Sequence, residues 1–329
     1  MPTGHLTAHE RSVIEHLHRQ QVPQAEIARQ LKRHPGTISR ELHRNKPSPR
    51  CTYQARRAQV AAAERRAAAN RRRVKLRYAP LQRWVRAGLR QRWSPQLIAG
   101  RAAHEHRGDR RMRISGMTIY RWLKQDQARG GTLCRSLPRR GKGRKPNHSC
   151  TSRMPQPGRR RIHDRPAGAA NRSRFGHWEL DTVEGAHKQG YLVSLVERKS
   201  RYTLLERASD KRARTINACI LRMAERLDPA LRRTVTSDNG REFDSYRELE
   251  RTLGLPFYFA DPNSPWQRGT GEQTHGVLRY FLPKGTDFRR ISQAKLARIE
   301  SMLNNRPKVC LDYRAPAEVI PLPPVALRV

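Results

Sequence analysis

Three carboxylates stand where they could do chemistry: Asp181 in HWELDTVEG, Asp238 in VTSDNG and Glu272 in GTGEQTHG. Carboxylate oxygens are hard ligands for Mg²⁺ or Mn²⁺, and two such ions can clamp both the attacking and the leaving oxygen of an in-line phosphoryl transfer. A single surface Asp or Glu is ordinarily just solvated, so the reading depends on the three converging. Two neighbours compete for the same roles. Glu179 lies two residues before Asp181 on the same strand face, and Glu242 lies one helical turn after Asp238. Spacing alone does not choose among them.

The elements that must position these groups are legible around them. HWELDTVEG, YLVSLVERKS and RYTLLERAS are β-rich with short connections and predict an antiparallel meander. A helix is expected over 212–227. RRTVTSDNG then reads as a strand that presents Asp238 at its end, followed by Asn239 and Gly240, residue types that tolerate the left-handed backbone of a sharp turn. A helical segment over 242–253 leads to a short strand, LPFYFA. After the irregular DPNSPWQRG, Thr270 is expected to cap a helix that carries Glu272 in its first turn.

The chain of 329 residues holds 69 Lys and Arg against 28 Asp and Glu, a formal charge of +41 that calls for a polyanionic partner, and nucleic acid is the obvious one. The charge is uneven: residues 1–175 hold 43 basic and 9 acidic side chains, residues 176–329 hold 26 and 19. The first part therefore reads as a phosphate grip and the second as the seat of acidic chemistry. Apolar residues at helical intervals, Ile14 and Leu17, Ile27 and Leu31, Ile38 and Leu42, predict three short helices. Thr7 is expected to cap the first and Thr37 the third, forming a helix-turn-helix whose recognition helix exposes Ser39, Arg40, His43 and Arg44. A three-helix bundle with no DNA role shows the same periodicity; the basic third helix favours DNA.

The segment over 54–77 carries charge on nearly every face, which excludes it from a core and suits a phosphate backbone or a solvated connector. A second helix-turn-helix is expected over 81–123, with Ser94-Pro95 and Ser115 starting helices and Tyr120, Arg121 and Trp122 on the last. Next comes a stretch rich in Gly, Pro, Arg and Ser that reads as a flexible basic linker. The five cysteines form no CxxC pair, so zinc and disulfide frameworks are not expected and reduced thiols are. No apolar run approaches membrane-spanning length and no signal region opens the chain, which suggests a cytoplasmic protein sharing its compartment with DNA.

HWELDTVEG, VTSDNGREF and FADPNSPWQRGTGEQTHGVLRYFLPKGTDF, followed by LNNRP, together resemble the insertion sequence thirty family of bacterial DDE transposases, with 33 residues between Asp238 and Glu272. The likeness runs over essentially the whole chain. It implies an α/β ribonuclease-H-like core with a mixed five-stranded sheet, preceded by all-α helix-turn-helix domains. It assigns Asp181, Asp238 and Glu272 as the catalytic, metal-binding triad, with Mg²⁺ or Mn²⁺ as cofactor, two ions in number. Its partners would be double-stranded DNA, both element ends and target, and a further copy of the chain, at least a dimer on DNA, in the bacterial nucleoid. The reaction implied is cleavage at terminal inverted repeats and strand transfer by the freed 3′-hydroxyls, through a circular intermediate.

The domains then run 1–50, 51–127, 128–172 for the linker and 173–329 for catalysis. The residues expected to touch DNA are Thr37, Ser39, Arg40, His43, Arg44, Tyr120, Arg121 and Arg268, with Asn239, Trp266 and Gln267 either positioning DNA or serving the turns. The chain departs from the family in reading GTGEQTHG for the usual GTNENTNG and Val309 for a usual basic residue, and neither change removes a metal ligand. A DNA-binding regulator without catalysis, and a nuclease without strand transfer, are the competing readings.

Overall fold

The computed structural model describes residues 4–45, 52–72, 75–137, 158–262 and 264–321. The chain divides into two compact units, Met1–Arg77 and Tyr78–Val329. In the first, α1 (Ala8–Arg19), α2 (Gln24–Gln30) and α3 (Pro35–Asn45) form the expected helix-turn-helix around Ile14, Ile27, Ile38 and Leu42. Thr7 caps α1 in a reciprocal capping box with Glu10. Thr37 does not cap α3, which begins two residues earlier. His34 takes that work, its ring Nδ1 accepting from the Gly36 N–H at 3.1 Å.

The helix α4 (Ala55–Arg72) corrects the expectation that its charge keeps it out of a core. Tyr53 just before it and Ala55 and Ala58 at its start join the same cluster as Ile14 and Ile38, while Arg56, Arg57 and residues 63–68 are exposed. A buried ion pair closes this corner: the Arg11 Nε donates to Glu41 at 2.7 Å and the Tyr53 hydroxyl donates to the same carboxylate at 3.1 Å.

The second unit opens with three helices, α5 (Ala79–Arg90), α6 (Pro95–Glu105) and α7 (Gly116–Ala128), the last two starting at Ser94-Pro95 and Ser115 as expected. Ser94 and Ser115 cap the latter two through Leu97 N–H and Thr118 N–H. Helix α6 docks on the C-terminal segment. Arg101 donates to the Tyr313 carbonyl at 3.0 Å and pairs with Glu318, Arg306 donates to the Arg92 carbonyl at 2.7 Å, and Gly100 lies against the Tyr313 ring so closely that a Cβ would overlap it.

Of the predicted linker, 138–157 lies outside the described residues. From 158 the chain is built into the unit. Ile162 is buried, Arg159 lies 4.3 Å over the Phe259 ring, and α8 (Ala167–Ala170) buries Ala169. Arginine-rich composition suggested a solvated tether here, but guanidinium planes stack on aromatic rings and need no apolar periodicity to dock.

The sheet follows: β1 (His177–Glu184), β2 (Tyr191–Glu197), β3 (Thr203–Ala208), then α9 (Ala213–Glu225), β4 (Thr234–Ser237), α10 (Tyr246–Leu253), β5 (Phe257–Phe259), α11 (Gly269–Phe281) and α12 (Gln293–Asn304). Strand order is β3-β2-β1-β4-β5, with the first three antiparallel and β1, β4 and β5 parallel, the mixed five-stranded ribonuclease-H-like sheet. Both faces are covered. Trp178, Leu180, Val193 and Val235 pack under Ile216, Ile220, Met223 and Leu249 of α9 and α10. Val183, Leu192 and Leu205 pack under Leu278, Leu296, Ile299 and Leu303 of α11 and α12. A sheet buried on both sides explains why β2 is buried at every position. Because side chains alternate, Glu179 and Asp181 share the face of Val183, toward α11. Among the described residues no helix is long and apolar enough to cross a membrane, and Cys134, Cys219 and Cys310 are free thiols.

Trp178 is fully buried and its Nε1 donates to the Leu231 carbonyl at 2.8 Å. Truncating it to Ala is expected to cost about 3–5 kcal/mol in urea unfolding followed by far-UV circular dichroism, whereas exposed Val309→Ala changes less than about 0.5 kcal/mol. Equal midpoints for the two variants would contradict the packing. His177 is buried beside Thr234, and burial, reinforced by Arg233, Arg198 and other arginines, lowers its pKa to about 4. Between its ordinary pKa near 6.5 and this value the unfolded chain takes a proton that the folded one refuses. Stability therefore falls as pH drops from 7 towards 4, by roughly 3 kcal/mol from this residue. His177→Gln flattens that part of the profile, measured as unfolding free energy at pH 7 and pH 4.5; an unchanged slope refutes the assignment.

Candidate active site

Asp181 and Asp238 are brought side by side by strand register. His177 pairs with Thr234 and Glu179 with Thr236 in the parallel ladder, and the same register carried two residues further sets Asp181 opposite Asp238, just past the end of β4. Both carboxylates meet one guanidinium: the Arg268 Nη1 lies 3.0 Å from Asp181 Oδ2 and its Nη2 3.4 Å from Asp238 Oδ2. The Thr182 N–H donates to Asp181 Oδ1 at 2.8 Å and the Gly240 N–H to Asp238 Oδ1 at 3.0 Å, which fixes both carboxylates. Burial raises the pKa of Asp238 above the usual carboxylate range, opposed by Arg268 and aided by Asp181, although 38 % of its side chain still reaches the surface. Burial works against the charge of Arg268, but Asp181 and Asp238 outweigh it and hold the guanidinium above its ordinary pKa.

The two competing carboxylates are committed elsewhere. Glu179 is 1 % exposed, accepts from Arg198 Nη1 at 2.5 Å and from the Gly271 N–H at 2.8 Å, and so ties β1 to the start of α11. Glu242 is buried, accepting from the Thr182 hydroxyl at 3.1 Å and pairing with Lys211 at 2.8 Å. Gly240 serves this carboxylate: its backbone is extended, φ −60, not left-handed as expected, and a Cβ there would stand 2.3 Å from Glu242 Oε2. What the glycine provides here is space beside Glu242, not backbone freedom.

Glu272 is on α11 as expected, but exposed, and among the described residues no three His, Cys, Asp or Glu side chains stand as a metal-holding group. The aspartate pair fits a hard divalent ion, since it already gathers a cation; Glu272 is not drawn to it. Thr270 does not cap α11, which starts at Gly269; its hydroxyl accepts from Arg201 Nη1 instead. Arg268, expected at DNA, is turned onto the aspartates. Asn239 and Gln267 serve turns: the Asn239 Nδ2 donates to the Ala260 carbonyl at 2.7 Å and the Gln267 Nε2 to Asp261 at 2.8 Å. Trp266 is 74 % exposed.

Sequence reasoning missed Ser194 and His275. Ser194 faces Asp181 across β2, its hydroxyl is 2.7 Å from His275 Nε2, and His275 Nδ1 is 3.6 Å from Asp181 Oδ2. Burial lowers the pKa of His275, with Asp181 opposing. The available signal was helical spacing, since His275 follows Glu272 by three residues on one face. Away from this site, Ser39, Arg40, His43 and Arg44 on α3 are exposed and Thr37 half-buried, while Tyr120 and Arg121 are exposed on α7.

A helix-turn-helix domain family model matches residues 3–45 and an integrase core domain model matches residues 171–265. The chain is 38 % identical to the transposase for insertion sequence element IS1086 of Cupriavidus metallidurans over 96 % of its length and 94 % of that protein's. It is 33 % identical to the transposase InsI for insertion sequence element IS30A of Escherichia coli, covering 96 % of this chain and 83 % of that one, and 33 % identical to the transposase for insertion sequence element IS4351 of Bacteroides fragilis, covering 95 % and 94 %. With two aspartates paired at the end of a ribonuclease-H-like sheet, a helix-turn-helix at the front and relatives matched along nearly the whole chain, the protein belongs to the insertion sequence thirty family of DDE transposases.

Proposed function

We propose that this DNA transposase binds the terminal inverted repeats of its own element, cuts there to free 3′-hydroxyl ends and joins those ends to DNA through a circular intermediate. The observation that carries the reading is the alignment of Asp181 with Asp238 on adjacent parallel strands under one guanidinium. Asp181 and Asp238 would hold Mg²⁺ or Mn²⁺, two ions in number, with the exposed Glu272 of α11 completing the ligand set only on moving in towards them, and the bound ions would polarise the phosphate and stabilise its leaving oxygen. The chain's own residues place and orient those oxygens. Thr182 and Gly240 N–H groups fix the carboxylates, and the Ser194–His275 pair bears on Asp181 from the other side.

Water attacks the phosphorus at the element end and a 3′-oxygen leaves. That 3′-hydroxyl then takes the place of water against a second phosphodiester, so one site serves both steps. Ser39, Arg40, His43 and Arg44 on α3, with Thr37 at its start, and Tyr120 and Arg121 on α7 are the DNA-reading side chains, so that residues 1–127 grip the ends and residues 173–329 cut them. Working on two ends calls for at least two copies of the chain on DNA, in the bacterial cytoplasm at the nucleoid.

The test is a gel assay on DNA carrying two element ends, with Mg²⁺ or Mn²⁺. Wild type gives nicked and joined products, and Asp238→Asn is expected to lower both by about three orders of magnitude, the several kcal/mol that a lost metal ligand removes. Equal product from the variant refutes the active site, and cleavage with no joining refutes strand transfer. In a separate titration Arg40→Ala and Arg44→Ala each weaken end binding by about 1–3 kcal/mol, roughly 5- to 150-fold. Normal affinity in both variants would remove α3 from the interface.

A further inference from the structure

Beside the aspartate pair, the chain packs cations with too little negative charge to match them. Arg198 is 3 % exposed and Arg201 is 9 % exposed, on the turn between β2 and β3; Arg165 is half-buried and Arg172 is exposed, both on the segment that leads into β1. Glu179 is the one carboxylate whose charge bears on Arg165, Arg172 and Arg198 together, and it is already bonded to Arg198 and to the Gly271 N–H. Burial, eased by Glu179 and reinforced by Arg165, Arg172 and Arg201, brings Arg198 down to about 10. The other buried carboxylate of this region, Glu197, is spent on the N–H groups of Gly176, Lys199 and Ser200.

A buried charge is tolerated only when paired and hydrogen-bonded. Here the hydrogen bonding is incomplete as well. Arg165 Nε and Nη1 and Arg201 Nε are buried with no partner among the described residues. Arg201 also donates from Nη1 to the Thr270 hydroxyl, so its guanidinium lies at the N-terminal turn of the 13-residue α11, where the helix dipole adds positive potential. Donors without acceptors, several cations for one anion and a helix N-terminus together suit an anion with several acceptor oxygens.

We propose that Arg165, Arg172 and Arg201 form a phosphate site for the DNA backbone next to the catalytic aspartates, with Arg198 and Glu179 as its fixed floor. Glu179 and Asp181 are two residues apart on one face of β1, about 7 Å, which matches the axial rise of about two nucleotides. A phosphate held here would therefore lie close to the scissile bond. The site rests on the transposase reading for the identity of its ligand, and on the arginine geometry alone for its affinity for an anion.

Two measurements on the full chain separate these dependences. In the first, melting is followed in sulfate and in chloride at equal ionic strength. Sulfate raises the melting temperature of wild type by a few degrees, and Arg165→Gln with Arg172→Gln removes at least half of that gain. In the second, anisotropy of a duplex bearing the element end is titrated over a salt series, and the double variant loses about 1 to 2 from the slope of log K against log salt, near 0.9 for each phosphate contact removed. Arg172→Gln alone, at an exposed position, loses about 0.9 and guards against a double variant that fails to fold.

Unchanged sulfate stabilisation together with an unchanged slope overturns the site. Lost sulfate stabilisation with an unchanged slope overturns DNA as the ligand, and a reduced slope with full sulfate stabilisation overturns the built pocket in favour of loose surface contact. Neither measurement depends on metal or on joined product, so both stand if the cleavage assay fails.

Discussion

The carboxylate of Glu179 is taken out of water in the middle of the sheet, and much of the catalytic half is arranged around the consequences. Moving such a charge into the interior costs several kcal/mol unless its lone pairs are met. Arg198 meets one oxygen and the Gly271 N–H the other, so β1, the β2–β3 turn and the start of α11 are bound to one another at a single point. Removing either partner would leave an uncompensated buried charge. This clamp fixes the height of α11 above the strand that carries Asp181, and with it the place of His275 against that aspartate.

The paired aspartates present a second electrostatic problem, which parallel pairing creates and Arg268 resolves. Two carboxylates at neighbouring strand positions repel, and with water partly excluded the repulsion is not screened away. A guanidinium across both offsets it and holds them in a shared orientation. The +7 formal charge of residues 176–329, against +34 for the rest, fits a half that needs carboxylates concentrated at one place. In the proposed function the basic part grips phosphates by charge while the paired aspartates must admit a phosphate against charge, and the proposed arginine site beside Glu179 would relieve that conflict.

What could be read from the chain alone was whatever depends on near neighbours. The helical intervals of Ile14, Ile27 and Ile38, the Thr7, Ser94 and Ser115 caps, the β-rich segments and the exposure of Arg40 and Arg44 are all local, and the structure has them. Thr37 and Thr270 do not cap because a helix can start before the best capping residue when another group, His34 at α3 or Glu179 at α11, supplies the acceptor. The choice of Asp181 over Glu179 was not local at all: the two share a strand face, and only the distant Arg198 and Gly271 show which is spent on structure. Docking of 158–170 was hidden for a similar reason, since its partners Phe259 and Tyr246 lie about ninety residues further on.

The contacts of Arg101 and Arg306 have a mechanical meaning. Through them α6 is braced on the segment that follows α12, and α5 to α7 are built into the same compact unit as the sheet. Under the proposed function, a duplex lying against α7 would be held by the body that carries Asp181 and Asp238, and the distance from Tyr120 or Arg121 to the bond that breaks would be set by the protein's own dimensions. On that reading the unit would act as a caliper, and loosening the Arg101 brace would blur the position of the cut before it slowed the cutting.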